Sequence, residues 1–199
     1  MRGPQRFPDA FRAHRCLFVN VPGCESEAVY TALFGANSPG PVPLRWYEER
    51  FAPEFATSFK FAFVRDPLER AYVAWARWRE ARLFQAAESS ASLDEEEDFD
   101  AFVEGLAPPD LQDRLDFRPQ TDFLEDSQGR VRLDFIGHYE SLMRDFQSMA
   151  DFLCLPAVLP WSAPAYERTP RSSRYAVGPL ARKRLRQLYQ RDYEVLGYA

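Results

Sequence analysis

The stretch from Cys16 to Phe34, CLFVNVPGCESEAVYTALF, constrains the fold more than any other part of the chain. Its first six residues, Cys16 to Val21, are mostly apolar and stop at Pro22, which predicts a buried strand. Pro22-Gly23-Cys24 makes a tight turn, and from Glu25 to Phe34 the residues Val29 and Leu33 fall one helical turn apart. The order is strand, turn, helix. Such a unit aims free backbone N–H groups and the positive end of a helix dipole at the turn, where an anion is favoured.

A second unit of the same kind follows. Phe59 to Val64 (FKFAFV) is an almost continuous apolar run, as expected of a central strand of a parallel sheet. Asp66 then caps a helix that begins at Pro67 and carries Leu68, Ala71, Tyr72, Trp75 and Trp78 on its apolar face, fading after about Leu83. Strands that alternate with helices predict an α/β three-layer sandwich around a central, mainly parallel sheet. At 199 residues the chain suits one domain, residues 1–199, with an amino-terminal extension over 1–14 and an acidic loop over 88–98.

Between the two units, residues 35–58 hold Gly35, Gly40, Pro39, Pro41, Pro43 and Pro53, so they read as a connection with at most a short strand or helical turn near Trp46 to Phe51. Downstream, Phe99, Phe102, Val103 and Leu106 mark a short amphipathic helix ended by Pro108-Pro109. Leu115 to Leu124 reads as a structured loop, Ser127 to Arg130 as a turn and Val131 to Ile136 as a strand. Helical spacing returns from Tyr139 to Leu153, prolines interrupt the chain over 156–170, and a helix from Leu180 to Leu196 closes it.

Composition narrows the function. A net charge of −5 argues against general binding to nucleic acid or an anionic membrane, and no run reaches the roughly 18 apolar residues of a membrane helix. Three cysteines, Cys16, Cys24 and Cys154, lack the spacing of a metal site or a disulfide framework, and neither His14 nor His138 has a partner at ligand spacing. A reduced, cytoplasmic setting without a metal is expected. Oligomeric state is left open.

In a parallel sheet, ligands bind beyond the carboxyl ends of the strands. Pro22 to Ala28 and Arg65 to Arg70 occupy two such ends, and Arg65 beside a helix amino terminus favours an anion. An ordinary alternative is that Arg65 and Arg70 simply pair with Asp66 and Glu69.

FAFVRDPLERAYVAW resembles the segment of sulfotransferases dependent on 3′-phosphoadenosine 5′-phosphosulfate (PAPS) that binds the nucleotide 3′-phosphate. LFVNVPGCESEAVYTALF is similar to the strand, loop and helix that hold the 5′-phosphosulfate in that family. FRPQTDFL, LDFIGHYESLMRDF and LYQRDYEVLGY look like its later landmarks, in the branch that includes carbohydrate and many bacterial sulfotransferases. The resemblance implies a P-loop-like sulfotransferase fold, PAPS as sulfuryl donor, and a hydroxyl of a small molecule or carbohydrate as acceptor.

Carried over position by position, the resemblance puts Arg65 on the 3′-phosphate and the loop residues Gly23, Cys24 and Ser26 on the 5′ end. Ser172 and Arg174, in the basic stretch RTPRSSRY, would help hold the nucleotide. Asp116 stands where many members carry a histidine base. The departures are equally specific. The family loop reads Pro-Lys-Thr-Gly-Gly-Thr-Ser, whereas here Gly23 replaces the lysine and Glu25 and Ser26 replace the glycines, while Val73 replaces a serine. Glu25 and Glu27 set two carboxylates where a dianion enters, although glutamates in a first helical turn are also ordinary stabilising residues. Two rival readings follow: a sulfotransferase-fold pseudoenzyme serving as a binding or scaffold module, and a repurposed site in which Cys24, Glu25 or Glu27 carries new chemistry.

Overall fold

The computed structural model describes residues 3–35, 38–89, 98–160 and 177–198. In chain order the helices are α1 (Asp9–Ala13), α2 (Ser26–Phe34), α3 (Leu44–Arg50), α4 (Ala52–Thr57), α5 (Pro67–Ser89) and α6 (Phe99–Gly105). They continue with α7 (Pro108–Asp113), α8 (Thr121–Leu124), α9 (Leu142–Phe152), α10 (Pro179–Leu188) and α11 (Gln190–Val195). The chain divides into two compact units, Met1–Arg65 with Pro119–Ser162 and Asp66–Arg118 with Ala163–Ala199.

The first unit holds the sheet. Its strands β1 (Cys16–Val19), β2 (Phe59–Val64) and β3 (Phe135–His138) lie in the order β1-β2-β3, and both pairings are parallel. The fold is therefore α/β with a parallel sheet, as the alternating pattern predicts. All of β1 and the last four residues of β2 are buried, which is why their runs are apolar without alternation. Phe18 packs on Phe61 at 5.1 Å between centroids and on Tyr30 of α2 at 6.1 Å. Gly137 is paired with Phe63, whose ring would lie 2.4 Å from any β-carbon placed there, so the strand takes glycine for close approach.

The second unit is helical among its described residues. Leu68, Ala71 and Trp75 of α5, Phe102 and Val103 of α6, and Leu185 of α10 belong to one buried cluster, with Leu111, Phe117 and Tyr189. Trp75 meets Phe99 at 5.4 Å, and the Tyr189 hydroxyl donates to the Phe117 carbonyl at 2.7 Å.

Several boundaries differ from the sequence expectation. Within the expected connection two helices form, α3 and α4, more than the single short turn expected near Trp46 to Phe51. Their prolines are not breakers: Pro43 is the N-cap of α3 and Pro53 lies in the first turn of α4, where a missing N–H has no cost. Pro108 and Pro109 likewise open α7. The third strand begins at Phe135, because Asp134 turns its side chain back onto the Lys60 amide at 2.7 Å and its own amide onto the Lys60 carbonyl at 2.7 Å. The closing helix breaks at Tyr189, and α5 runs on to Ser89. The greater part of the expected acidic loop, residues 90–97, lies outside the described residues.

Candidate functional site

Three strand ends meet at the carboxyl edge of the sheet in the first unit. After β1, Ser26 closes the turn: its hydroxyl donates to the Val21 carbonyl at 3.0 Å and accepts from the Val21 amide at 3.2 Å. Gly23 has φ 80° and Glu25 φ 54°, so the turn passes twice through the left-handed region. Glu25 thus holds, without being glycine, a backbone conformation suited to glycine. Glu27 faces Asn20 and Ser38; its carboxylate accepts from Asn20 Nδ2 and from the Ser38 amide, each at 3.1 Å. Asn20 Nδ2 also donates to Ser38 Oγ at 2.8 Å. Cys24 is 0% exposed, with its thiol donating to Gln120 Oε1 at 3.3 Å.

Arg65 follows β2 directly and is itself 0% exposed. Its guanidinium lies over the Tyr139 ring, 3.9 Å from the centroid. A desolvated contact of this kind stabilises by about 2 kcal/mol or more. Gln120 brackets the Arg65 backbone as a neighbouring strand would: Oε1 accepts from the Arg65 amide at 2.9 Å and Nε2 donates to its carbonyl at 2.7 Å. One side chain thus links the end of β2 to the thiol of the first loop.

After β3, the Asp145 carboxylate accepts from the His138 amide and from the Ser141 hydroxyl, both at 2.8 Å, and from Arg144 Nε at 3.0 Å. Burial pushes the Asp145 carboxyl upward, but these hydrogen bonds outweigh it and hold it below the ordinary aspartate value. They fix the 3₁₀ turn Tyr139–Ser141, and with it the ring beneath Arg65.

In the second unit, Asp66 caps α5 as expected, its Oδ1 accepting from the Leu68 and Glu69 amides at 2.9 and 3.1 Å. Arg70 is buried and donates to the carbonyls of Arg118 at 2.9 Å and Leu115 at 3.5 Å, a structural use. Val73 is buried. Asp116 lies exposed in the turn that precedes Phe117. Ser172 and Arg174 lie outside the described residues.

Gln120, Tyr139, Asn20, Ser38, Ser141 and Asp145 are members of this arrangement that the sequence does not single out. Gln120 belongs to the Phe-Arg-Pro-Gln block, so its block was visible while its partner was not. Tyr139 has the spacing of a helical core residue, and only the tertiary fold sets it under an arginine.

Residues 44–199 match the model of the Sulfotransferase family. The chain belongs to that family. No curated protein and no solved structure matches it. Within this sulfotransferase, the matched span takes in Arg65, Asp116, Gln120 and Tyr139 and begins after the loop at Pro22 to Ala28. Among the described residues no helix is long and apolar enough to cross a membrane, and no group of three histidine, cysteine or acidic side chains is set to hold a metal.

Proposed function

We propose that the protein transfers a sulfuryl group from PAPS to a hydroxyl of a small-molecule or carbohydrate acceptor. Family membership supports the sulfuryl chemistry. The observation that carries the donor reading is Arg65, a buried arginine at the carboxyl end of the central strand, oriented by Tyr139 and Gln120. A cation in a low-dielectric position at that edge is what an anionic nucleotide needs.

The residues present fit such a donor unequally. Arg65 would hold the 3′-phosphate. In the first loop the left-handed backbone at Gly23 and Glu25 supports a phosphate-loop geometry, and the first-turn amides of α2 would meet the 5′ end. The Ser26 hydroxyl is engaged with Val21, so its amide is the group left to contribute. Glu27 is anchored on Asn20 and Ser38, which limits its freedom to turn toward an entering dianion. When bound, PAPS supplies an activated sulfuryl group. In this reading Asp116 takes the acceptor proton, and Ser172 and Arg174 are the candidates the family resemblance offers for further contacts to the nucleotide.

Titration calorimetry with adenosine 3′,5′-bisphosphate tests the donor. Saturable binding that Arg65→Ala weakens about 100-fold is expected; no heat at millimolar nucleotide would overturn the reading. Binding without turnover on phenol and saccharide acceptors would reassign the protein as a binding module on the same fold.

A further inference from the structure

At the carboxyl end of β1, three side chains of the first unit meet beside the loop from Pro22 to Ala28. Asn20, which directly follows the strand, is 9% exposed; Ser38 is half-buried; and Glu27, in the first turn of α2, is exposed, so the group opens to solvent. Glu27 is held at both carboxylate oxygens. Its Oε2 accepts from Asn20 Nδ2 and its Oε1 from the Ser38 amide, each at 3.1 Å. Each oxygen keeps a lone pair for one more donor.

The Ser38 hydroxyl completes the arrangement. Its oxygen accepts from Asn20 Nδ2 at 2.8 Å and from the Gly40 amide at 2.9 Å, so both lone pairs are taken. Its proton goes to no described residue, which leaves the hydroxyl only a donor toward solvent. Because Asn20 Nδ2 bonds both Glu27 Oε2 and Ser38 Oγ, a proton acceptor and a proton donor stand side by side. One substrate hydroxyl suits that pair, accepting from Ser38 and donating to Glu27. Asp116, the base suggested by resemblance, is exposed and has no hydrogen bond or ion pair among the described residues. A base acts from a fixed position within hydrogen-bond reach of the proton it takes.

We infer that Glu27, rather than Asp116, takes the proton of the acceptor hydroxyl, and that Ser38 orients that hydroxyl. This rests on the sulfuryl-transfer reading above and changes one residue of it. Glu27 lies in the same first helical turn whose amides would meet the 5′ end of the donor. The acceptor oxygen bonds to sulfur as the sulfur–oxygen bond to the 5′-phosphate breaks. Its proton passes to Glu27 and then to water, and adenosine 3′,5′-bisphosphate leaves with the bonding pair. The donors on Asn20 and Ser38 offset part of the carboxylate charge beside an entering dianion.

Binding is tested first. In the full chain saturated with adenosine 3′,5′-bisphosphate, titration of phenol or methyl β-D-glucopyranoside is expected to shift the Asn20 side-chain amide and Ser38 amide resonances and to saturate. Glu27→Gln keeps the shape of the side chain and should bind the bisphosphate at least as tightly as the parent in calorimetry, because a like charge is removed. Its kcat for transfer from PAPS to the acceptor that saturates should fall at least about 100-fold. Ser38→Ala should raise the acceptor KM about tenfold. Formate added to Glu27→Ala should restore part of the rate, as it would not for a residue that only supports the loop. The inference is overturned, with the donor reading intact, if the bisphosphate binds but neither acceptor shifts these resonances or is sulfated by the parent. It is equally overturned if a folded Glu27→Gln keeps kcat within about threefold of the parent, or if formate restores nothing. A parent that binds no bisphosphate overturns the donor reading itself, and this inference falls with it.

Discussion

The ends of β1 and β2 are built on the same plan and equipped in opposite ways. Each is a buried strand that runs through a short turn into a helix; no side chain caps the first-turn amides of α2, whereas the Asp66 carboxylate takes those of Leu68 and Glu69 in α5. The second end adds a buried cation, Arg65, whose orientation is set by Tyr139 and Gln120. The first end adds Glu25 and Glu27 and has no lysine between Pro22 and Ala28. The backbone plan is thus shared, while the side chains decide the charge at each end. Gln120 couples the two, since the same Oε1 accepts from the Arg65 amide and from the Cys24 thiol.

The sharpest way to break the contrast is to remove the cation. Arg65→Ala should weaken adenosine 3′,5′-bisphosphate binding about 100-fold, the scale of a charge-assisted contact in a desolvated site, read by calorimetry. Retained affinity would mean that the β2 end is no better equipped than the β1 end. Next in size is the coupling. Gln120→Leu leaves the Arg65 amide and carbonyl without this partner and should cost about 2–3 kcal/mol in urea unfolding. A loss near zero would show that the two strand ends are independent.

Asp145 tests the third strand end through pH. Its folded carboxyl lies below the ordinary value, so the stability it contributes is present above the unfolded value of about 3.9 and is lost as pH falls through the folded value. Asp145→Asn should destabilise by about 1–2 kcal/mol at neutral pH and flatten the acid limb of the stability profile. A variant whose acid limb matches the parent would remove Asp145 from the support of Tyr139. The smallest effect belongs to the loop itself: Glu25→Gly relieves a left-handed non-glycine residue and should stabilise by up to about 1 kcal/mol while raising nucleotide affinity, both measurable by thermal shift. Stabilisation without an affinity gain would assign Glu25 a purely local cost.

Much of the fold was legible because the strongest signals are local. The β2 run coincides with its apolar pattern, Asp66 caps α5 through its own side chain, and Ser26 to Phe34 is helical where the spacing places a helix. The failures also have a local cause. In the sequence Pro43, Pro53 and Pro108 read as breakers, although a proline at or just inside the start of a helix removes only an N–H that has no intrahelical partner. Val131 to Ile136 was placed early because side-chain pairing of Asp134 with Lys60, an interaction 74 residues apart, decides where β3 begins.

The candidate site was legible only in part. Arg65 declared itself by its position between an apolar run and a capped helix. Gln120 does not, since a glutamine that mimics a strand neighbour has no sequence period, and Glu27 reads in the sequence only as a first-turn carboxylate, whereas in the fold Asn20 and Ser38 hold it. What the sequence determined by itself is the alternation of buried strands with helices and the kind of charge at each turn, because both depend on short-range periodicity and composition. Which polar groups are answered and which face a ligand was decided by the tertiary structure, because hydrogen bonding depends on distances between residues the chain order does not bring together.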